Sequence, residues 1–291
     1  MSNSTEYIPR KYGPVGACIY CGATRGKLSS EHIVPYSLGG RLELVAASCS
    51  VCAKETGNIE RYITHTLWGG IRMKFDFPTR RPKLRPKSSE VFGPDGTSIS
   101  IPIKDYPAIA PMLWLDRPSI LDGVAARAEV RLTVKTFTTD GSDPAEVGVK
   151  HYRIPASVDT GKYFRFLAKI AHGMAVLRYG VDGFTPFLNN IIIRPNIAPM
   201  ADLYAFVGGR PEVEPPSHTD VGIVHTLTRE NQTNVGRQMW ICEGIRLFSN
   251  WTQPTEDGKS FGSPQYIVVA GTPNSMTEER MSRMIFYPEA N

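Results

Sequence analysis

Four cysteines near the beginning of the chain constrain its fold more than any other feature. They form two pairs, Cys18-x2-Cys21 and Cys49-x2-Cys52, with 27 residues between the pairs. Each pair can present two thiolates to one ion, and four thiolates satisfy a tetrahedral zinc ion. The alternative is four unrelated core cysteines that fall at these spacings by chance. We therefore predict a zinc site, and a structural one, because four thiolates leave no coordination position open for a substrate.

The remaining cysteine and the apolar pattern favour a protein of the cytoplasm without disulfides. Cys242 stands alone in an apolar stretch and is expected to be a packed core residue. The first residues, MSNSTEYIPRKYG, lack the apolar core of a signal peptide. No stretch approaches the roughly 18 consecutive apolar residues of a membrane span. A cytoplasmic location and no membrane partner are the expectations.

The order of sequence patterns predicts an α+β protein in three parts. Residues 1–70 contain the cysteine pairs at the ends of a short hairpin, and a helix is expected to begin near Ala53. Residues 71–96 are a basic, Pro-rich connector, which is expected to be extended and largely exposed because repeated Pro resists helix and sheet alike. Residues 97–291 are expected to form a larger α+β domain whose role the sequence does not reveal.

Several elements of the larger domain can be predicted from periodicity. Residues 160–180 have the pattern of a long amphipathic helix, with Asp159 or Thr160 as its N-cap and Gly180 at its end. Alternation of apolar and polar residues predicts a strand over 128–137. Further strands are expected over 220–228, 238–248 and 265–270, and a short helix over 276–284.

Positive charge is concentrated in the connector. The formal net charge of the chain is +5, and residues 71–90 alone carry seven basic against two acidic groups. Clustered cations favour a polyanion such as nucleic acid, because binding releases condensed counterions. The alternative is a solvated linker. Phe75 and Phe77 in this segment could stack on bases or attach the linker to the second domain. The candidate nucleic-acid-binding residues are Arg72, Lys74, Arg80, Arg81, Lys83, Arg85 and Lys87.

The residues between the cysteine pairs resemble a known family. Ser30-Glu31-His32-Ile33-Val34-Pro35 is followed by Gly39-Gly40, and the second cysteine pair leads into a helix. This combination is similar to the HNH endonucleases of the ββα-metal fold, over residues 18 to about 61. The resemblance implies that His32 is a general base and that Glu31 holds a catalytic divalent cation, Mg2+ or Mn2+. It also implies that the four cysteines hold a structural zinc.

The chain departs from the family at two positions. The central Asn that orients the base would fall near Leu44 to Ala46, where no side chain can take its role, unless a backbone carbonyl near Ala46 replaces it. The closing His or Asn would fall at Ala53. One branch of the family resembles the pattern from Ser48 through Thr56-Gly57 to Glu60, which makes Glu60 the candidate second metal ligand. Alternatively, Glu60 is a solvated helix residue.

Two other histidines deserve separate interpretations. His65 lies five residues after Glu60 and could complete a site from the same helix, although an exposed or packing histidine is the simpler interpretation. His172 lies within the apolar pattern of the long helix, which is typical of a core histidine with a satisfied hydrogen bond.

Three functions compete at this point. The first is a metal-dependent endonuclease that hydrolyses phosphodiester bonds, in DNA rather than RNA, with an imidazole as the base. The second is a catalytically degenerate zinc module that binds nucleic acid. The third is a defence or toxin effector whose residues 97–291 gate the nuclease, through a regulatory ligand or a homo-oligomer.

Overall fold

Helices and strands follow one another irregularly along the chain, in the α+β order that the sequence predicts. The structure is a computed structural model. It describes residues 10–92, 95–106, 109–123, 132–138, 158–194, 200–210, 225–230, 232–233, 239–249, 252–254 and 260–274.

The cysteine pairs frame a ββα unit, as predicted. Strands β1 (Arg10–Tyr12), β2 (Ser29–His32) and β3 (Leu42–Ser48) form a sheet in the order β1-β3-β2. β2 is antiparallel to β3 and β1 is parallel to it. Helix α1 (Ser50–Arg61) follows directly and continues as a π-helical segment over Tyr62–Leu67. The helix therefore begins three residues before Ala53.

The Gly39-Gly40 pair lets the chain turn between β2 and β3. Gly39 has a φ of 83°, in the left-handed region that glycine adopts without a steric penalty. A Cβ atom on Gly40 would lie 1.9 Å from the carbonyl oxygen of Val34. Both positions therefore require glycine, which fixes the register that brings β3 beside β2.

The basic segment is less extended than the sequence predicts. It begins within helix α2 (Gly69–Lys74) and contains a 3₁₀ turn over Pro82–Leu84 and strand β4 (Ser88–Phe92), which forms an antiparallel hairpin with the following strand β5 (Ser98–Pro102). The prediction of a segment without helix or sheet was wrong at both ends. The Pro-rich middle is exposed, as predicted.

The rest of the described chain builds two further sheets around one long helix. One sheet has the order β10-β12-β15-β8, with β11 beside β12 and β9 beside β15, and the other has the order β14-β13-β7-β6. The bounds are β6 (Ile109–Leu115), β7 (Leu132–Thr138), α3 (Thr160–Tyr179), β8 (Phe184–Pro186), α4 (Asn189–Ile193), α5 (Met200–Phe206), β9 (Val207–Gly209), β10 (His225–Arg229), β11 (Gln232–Thr233), β12 (Met239–Leu247), β13 (Thr252–Pro254), β14 (Ser260–Gly262) and β15 (Gln265–Pro273).

Most predicted elements of this region are confirmed. The side chain of Asp159 caps α3 by accepting a hydrogen bond of 2.9 Å from the backbone N–H of Lys162. Gly180, with a φ of 75°, ends the helix. The predicted strands over 238–248 and 265–270 correspond to β12 and β15. Those over 128–137 and 220–228 correspond to β7 and β10 within the described residues, and the predicted helix over 276–284 lies outside them.

Helix α3 is the centre of the hydrophobic core. It packs against β12, β15 and α1. Trp68, just after the π-helical segment, makes edge-on ring contacts with Tyr163 and Phe166 of α3 and donates its indole N–H to the carbonyl of Pro111 at 2.9 Å. The same core cluster thus includes residues from both the ββα unit and the region after residue 97.

Within the described ranges, no helix combines the length and the apolar composition that crossing a membrane requires.

Candidate functional site

The four paired cysteines come together as the sequence predicts. Cys18 and Cys21 lie in the loop before β2, Cys49 is the N-cap of α1 and Cys52 lies in its first turn. The four sulfur atoms lie within 4.8 Å of one another, and those of Cys21 and Cys49 are 3.7 Å apart. Zinc–sulfur bonds of about 2.3 Å in a tetrahedron give sulfur separations of about 3.8 Å. The cluster therefore has the donors and the dimensions of a zinc site.

The surroundings of Cys49 lower the pKa of its thiol. The backbone N–H of Cys52 donates a hydrogen bond to this sulfur and lowers the pKa of Cys49 to about 7. At Cys49 the thiolate, which is the form that binds zinc, is thus available near neutral pH, whereas burial raises the pKa values of Cys21 and Cys52. Among the described residues, no other group of three or more His, Cys, Asp or Glu has its ligand atoms clustered in this way.

A groove of about 1030 Å³ opens beside the ββα unit, and the predicted catalytic residues line it. Its walls come from β2, α1, α2 and the exposed basic segment. Glu31 and His32 enter from the end of β2, and Glu60 enters from the last turn of α1. The three residues selected from sequence are therefore brought to one site, although no two of them are in direct contact through their side chains.

His32 is held as a neutral imidazole near physiological pH. Burial lowers its pKa below the usual 6.5, and the opposite effect of Glu43 does not compensate. The imidazole Nε2 lies 3.9 Å from a carboxylate oxygen of Glu43, which is longer than a hydrogen bond. The side chain keeps 14% of its surface exposed, so the ring remains accessible from the groove. A neutral, accessible imidazole can accept a proton.

Glu43 is a site residue that the sequence reasoning missed. The register of the β2–β3 pair places it directly opposite His32. A backbone carbonyl near Ala46 was the alternative considered from the sequence, and the carbonyl of Ala46 itself accepts the N–H of Gly16 at 3.1 Å. The signal was present in the alternation Leu42-Glu43-Leu44, where a lone carboxylate stands between two apolar residues.

Lys169 of α3 joins the two predicted metal ligands. Its ammonium nitrogen lies 2.9 Å from Oε1 of Glu31 and 2.6 Å from Oε1 of Glu60. The hydroxyl of Tyr20 also donates to Oε1 of Glu31, at 3.1 Å. Burial would lower the pKa of Lys169, but the attraction of the two carboxylates outweighs it and raises the pKa. The lysine is therefore charged although only 1% of its side chain is exposed.

The same ammonium group also holds the strand that carries His32. It donates hydrogen bonds to the backbone carbonyls of His32 and of Ile33, the latter at 3.2 Å. Lys169 was not predicted as a site residue. Its signal is a lysine in the middle of an apolar helix pattern, FLAKIAHG, since a buried lysine needs charged or polar partners.

Four of the seven predicted nucleic-acid-binding residues line the groove, namely Arg72, Arg80, Arg81 and Arg85. Arg80 and Arg81 are exposed there. Arg85 is partly committed to structure, through an ion pair with Asp76 and a hydrogen bond of 2.5 Å to the carbonyl of Phe77. The other three residues, Lys74, Lys83 and Lys87, are not part of its lining.

The two phenylalanines of this segment attach it to the protein. Phe77 is 6% exposed and stacks on Phe248 with ring centroids 6.1 Å apart and an interplanar angle of 10°. Phe75 is partly buried against the same core. Of the two roles considered for them, docking onto the rest of the protein is the one observed.

The two remaining candidate histidines behave differently from each other. His65 is exposed on the groove wall, 3.5 Å from a guanidinium nitrogen of Arg72, and its pKa is lowered by burial and by neighbouring arginines. His172 is buried, and its Nε2 makes a 2.7 Å hydrogen bond with the carbonyl of Ile19. The interpretation of His172 as a core residue with a hydrogen-bond partner is confirmed.

Comparison with known proteins gives one match. Residues 18–66 match the model of a family described as HNH endonuclease. No curated protein and no solved structure matches the chain. The matched segment contains the four clustered cysteines, Glu31, His32 and Glu60. Residues 18–66 are thus similar to HNH endonuclease domains, their four clustered cysteines fit the zinc-binding branch of that family, and a larger α+β region follows them.

Proposed function

We propose that the protein is an HNH-type endonuclease that hydrolyses phosphodiester bonds in nucleic acid, and in DNA rather than RNA. The observation that carries the proposal is the groove itself. It combines an accessible imidazole with two carboxylates and with four arginines. Hydrolysis of a phosphodiester needs a base for the attacking water and positive charge near the phosphate, and both are within this groove.

His32 is the proposed general base. Its lowered pKa leaves the imidazole neutral at pH 7, so that it can take the proton of a water molecule as that water attacks phosphorus. Glu43, which faces His32 across the strand pair, is the proposed partner that stabilises the imidazolium formed in this step. It replaces the Asn that the family resemblance leads one to expect.

Arg80 and Arg81 are the proposed phosphate contacts. They are exposed on the groove wall, and the charge of Arg80 reaches His32, whose pKa it helps to lower after the larger effect of burial. A phosphate held by these guanidinium groups would therefore lie near the base. Guanidinium groups suit this role because they can donate two parallel hydrogen bonds to one phosphate.

The family resemblance also implies a divalent cation, Mg2+ or Mn2+, and the donor set fits one. Glu31 and Glu60 line the groove, and carboxylate oxygens are the ligands that these hard ions prefer. Lys169 contacts Oε1 of both residues, so each carboxylate has a second oxygen to offer. We propose that these two residues hold the ion, which when bound neutralises negative charge on the phosphate and the leaving oxygen.

The test is cleavage of plasmid DNA by full-length, zinc-loaded protein with Mg2+ or Mn2+. The variant His32→Ala should lose cleavage by a factor of about 10² to 10⁴, because it removes proton transfer alone. Zinc content and DNA affinity should stay as in the wild type. His65→Ala is the matched control, since His65 lines the same groove without a predicted catalytic role, and it should cleave normally. Full activity in His32→Ala would refute the proposed base.

A zinc module that binds nucleic acid without cutting it is the second candidate. The specific observation in its favour is Ala53, which stands where the family resemblance implies a metal ligand. Wild-type protein that binds DNA but leaves it intact with every divalent ion would support this candidate over the nuclease.

A further inference from the structure

A buried ammonium group lies behind the two carboxylates that face the groove. With both carboxylates ionised, Glu31 and Glu60 carry two negative charges, and Lys169 contributes one positive charge at distances of 2.9 and 2.6 Å. Burial raises the pKa of Glu31, and the attraction of the Lys169 ammonium group acts in the opposite direction. The three groups together carry a net charge of −1. Lys169 does not line the groove, so it acts on the site from behind and does not reach a substrate.

The surroundings of Lys169 fix its ammonium group in this position. Besides the two carboxylates, it donates to the carbonyls of His32 and Ile33. The helix that carries it is buried on this side, and Gly173, one turn further on, lies so close to Ile33 that a Cβ would be 3.3 Å from its side chain. The cation is thus a fixed part of the site.

We propose that Lys169 is the resident cation of the carboxylate pair and that it keeps the free protein's affinity for divalent ions low, so that the ion's site is completed by the phosphate of bound nucleic acid. This inference rests on the proposed function for the identity of the ion and its ligands. Lys169 is a positioning residue, because it acts through Glu31 and Glu60.

The physical reason is repulsion between two cations that share the same ligands. A divalent ion bound to Glu31 and Glu60 would lie within a few ångströms of the ammonium group, in a site where water screens charge poorly. A net charge of −1 balances only half of the charge of such an ion. A phosphodiester group in the groove brings one further negative charge and two oxygen ligands, which suits an ion that keeps few protein ligands.

The first experiment measures Mn2+ binding to full-length, zinc-loaded protein without nucleic acid, by the electron paramagnetic resonance of free Mn2+. Lys169→Met keeps a long unbranched side chain but removes the charge, which leaves the carboxylate pair at −2. Its Mn2+ affinity should rise at least about tenfold over the wild type. Lys162→Met is the matched control, since Lys162 lies on the same helix and pairs with Asp159 at the surface, and it should bind Mn2+ as the wild type does.

A second variant checks that charge is the cause. Lys169→Arg keeps the positive charge and both carboxylates, so its Mn2+ affinity should stay near the wild-type value. Equal or weaker Mn2+ binding by Lys169→Met would overturn the proposal. So would a Lys169→Arg variant that binds Mn2+ as tightly as Lys169→Met.

A measurement on the wild type keeps the proposal testable if Lys169→Met fails to fold. A duplex with phosphorothioate linkages, which resists hydrolysis, should tighten Mn2+ binding by the protein at least about tenfold after subtraction of Mn2+ bound by the duplex alone. An unchanged affinity would overturn the proposal.

The outcomes separate this inference from the proposed function. If the wild-type protein cleaves DNA and Lys169→Met does not change the Mn2+ affinity, the nuclease proposal stands and the proposal for Lys169 is refuted. If the protein never cleaves DNA but Lys169→Met raises the Mn2+ affinity, the proposal for Lys169 stands and the nuclease proposal is refuted.

Discussion

Lys169, His172 and Gly173 are near neighbours on α3, and each contacts the ββα unit in its own way. Lys169 supplies charge to Glu31, His172 bonds to the carbonyl of Ile19, and Gly173 gives room to the backbone beyond β2. At the scale of single residues, the contact between the two parts of the chain is therefore specific. It depends on a cation, a neutral ring and the absence of a side chain.

His172 makes the stability of the protein depend on pH. Burial lowers its pKa to about 4, although its hydrogen bond to Ile19 acts in the opposite direction. In the unfolded chain the pKa returns to about 6.5, so between these values the unfolded state binds a proton that the folded state does not. The free energy of unfolding should thus fall as the pH falls from about 6.5 to 4, by about 3 kcal/mol in total.

His172→Gln is the variant that isolates this effect. The amide can still donate to the Ile19 carbonyl but does not titrate. Urea unfolding from pH 7 to pH 4.5 should show a smaller loss of stability in the variant than in the wild type. Equal losses would mean that His172 is not the group responsible.

The sequence predicted the residues whose chemistry is local and missed those whose partners are distant. Glu31 and His32 are adjacent in sequence, and the repeated spacing of the four cysteines predicts that they share one site. Glu43 acquires its role only through the register of β3 against β2, and Lys169 through a helix that returns to the site more than a hundred residues after Glu60. No local pattern encodes such distances.

The element that most depends on its metal is the loop before β2 together with α1. Cys49→Ser removes one of four zinc ligands, and metal binding supplies much of the folding free energy of such small units. We expect the zinc content to fall well below one per chain and the unfolding free energy to drop by at least about 3 kcal/mol. Metal analysis and thermal unfolding measure both.

Cys242→Ala is the control for this variant. It also removes a buried sulfur, but from β12 and far from the cluster in sequence. Its zinc content should stay at one per chain. A Cys49→Ser variant that keeps its zinc and its stability would argue against the four-cysteine site.

The exposed middle of the basic segment should contribute to nucleic-acid affinity through its groove-facing residues. Replacing Arg80 and Arg81 by Gln should weaken DNA binding for all sequences alike and reduce the slope of log affinity against log salt by about 2, near 0.9 for each lost phosphate contact. Fluorescence anisotropy at several salt concentrations gives this slope.

The matched control loses the same charge from the same segment. Lys83 and Lys87 are exposed but do not line the groove, so replacing both by Gln should change the slope much less. If the two double variants behave identically, the segment acts by its net charge alone and the groove has no special part in binding.

Local sequence rules failed at this element for a simple reason. Proline and charge predicted the exposure of the middle of the segment, around Pro82, correctly, although a 3₁₀ turn lies there. They could not anticipate that Ile71 and Phe77, which both precede this middle part, would be buried, because burial depends on residues far along the chain, such as Phe248, on which Phe77 stacks. Tertiary packing then imposed structure on a segment with weak intrinsic preference.

For the whole molecule, the shared core argues against a nuclease that is released by removing its second part. The gated effector considered from sequence would become active on deletion of residues 100–291. Instead, we expect the fragment 1–99 to lose its fold and its activity, because α3 covers the core face of the ββα unit and supplies Lys169. Circular dichroism and zinc content of the fragment, beside the full-length protein, give the measurement.

A fragment that folds, holds zinc and cleaves DNA faster than the full chain would restore the gating model. A fragment that is stable but inactive would mean that activity depends on Lys169 of the missing region and not on the folding of the ββα unit.

The position of Lys169 along the chain also sets an order of events during translation. The ribosome makes the ββα unit first, at about 5–20 residues per second, and Lys169 follows Glu60 by more than a hundred residues. For roughly 5–20 s a nascent chain therefore has its cysteine pairs and both carboxylates but lacks the cation that joins them. The carboxylate pair therefore gains its cation only after the first half of helix α3 has been synthesised.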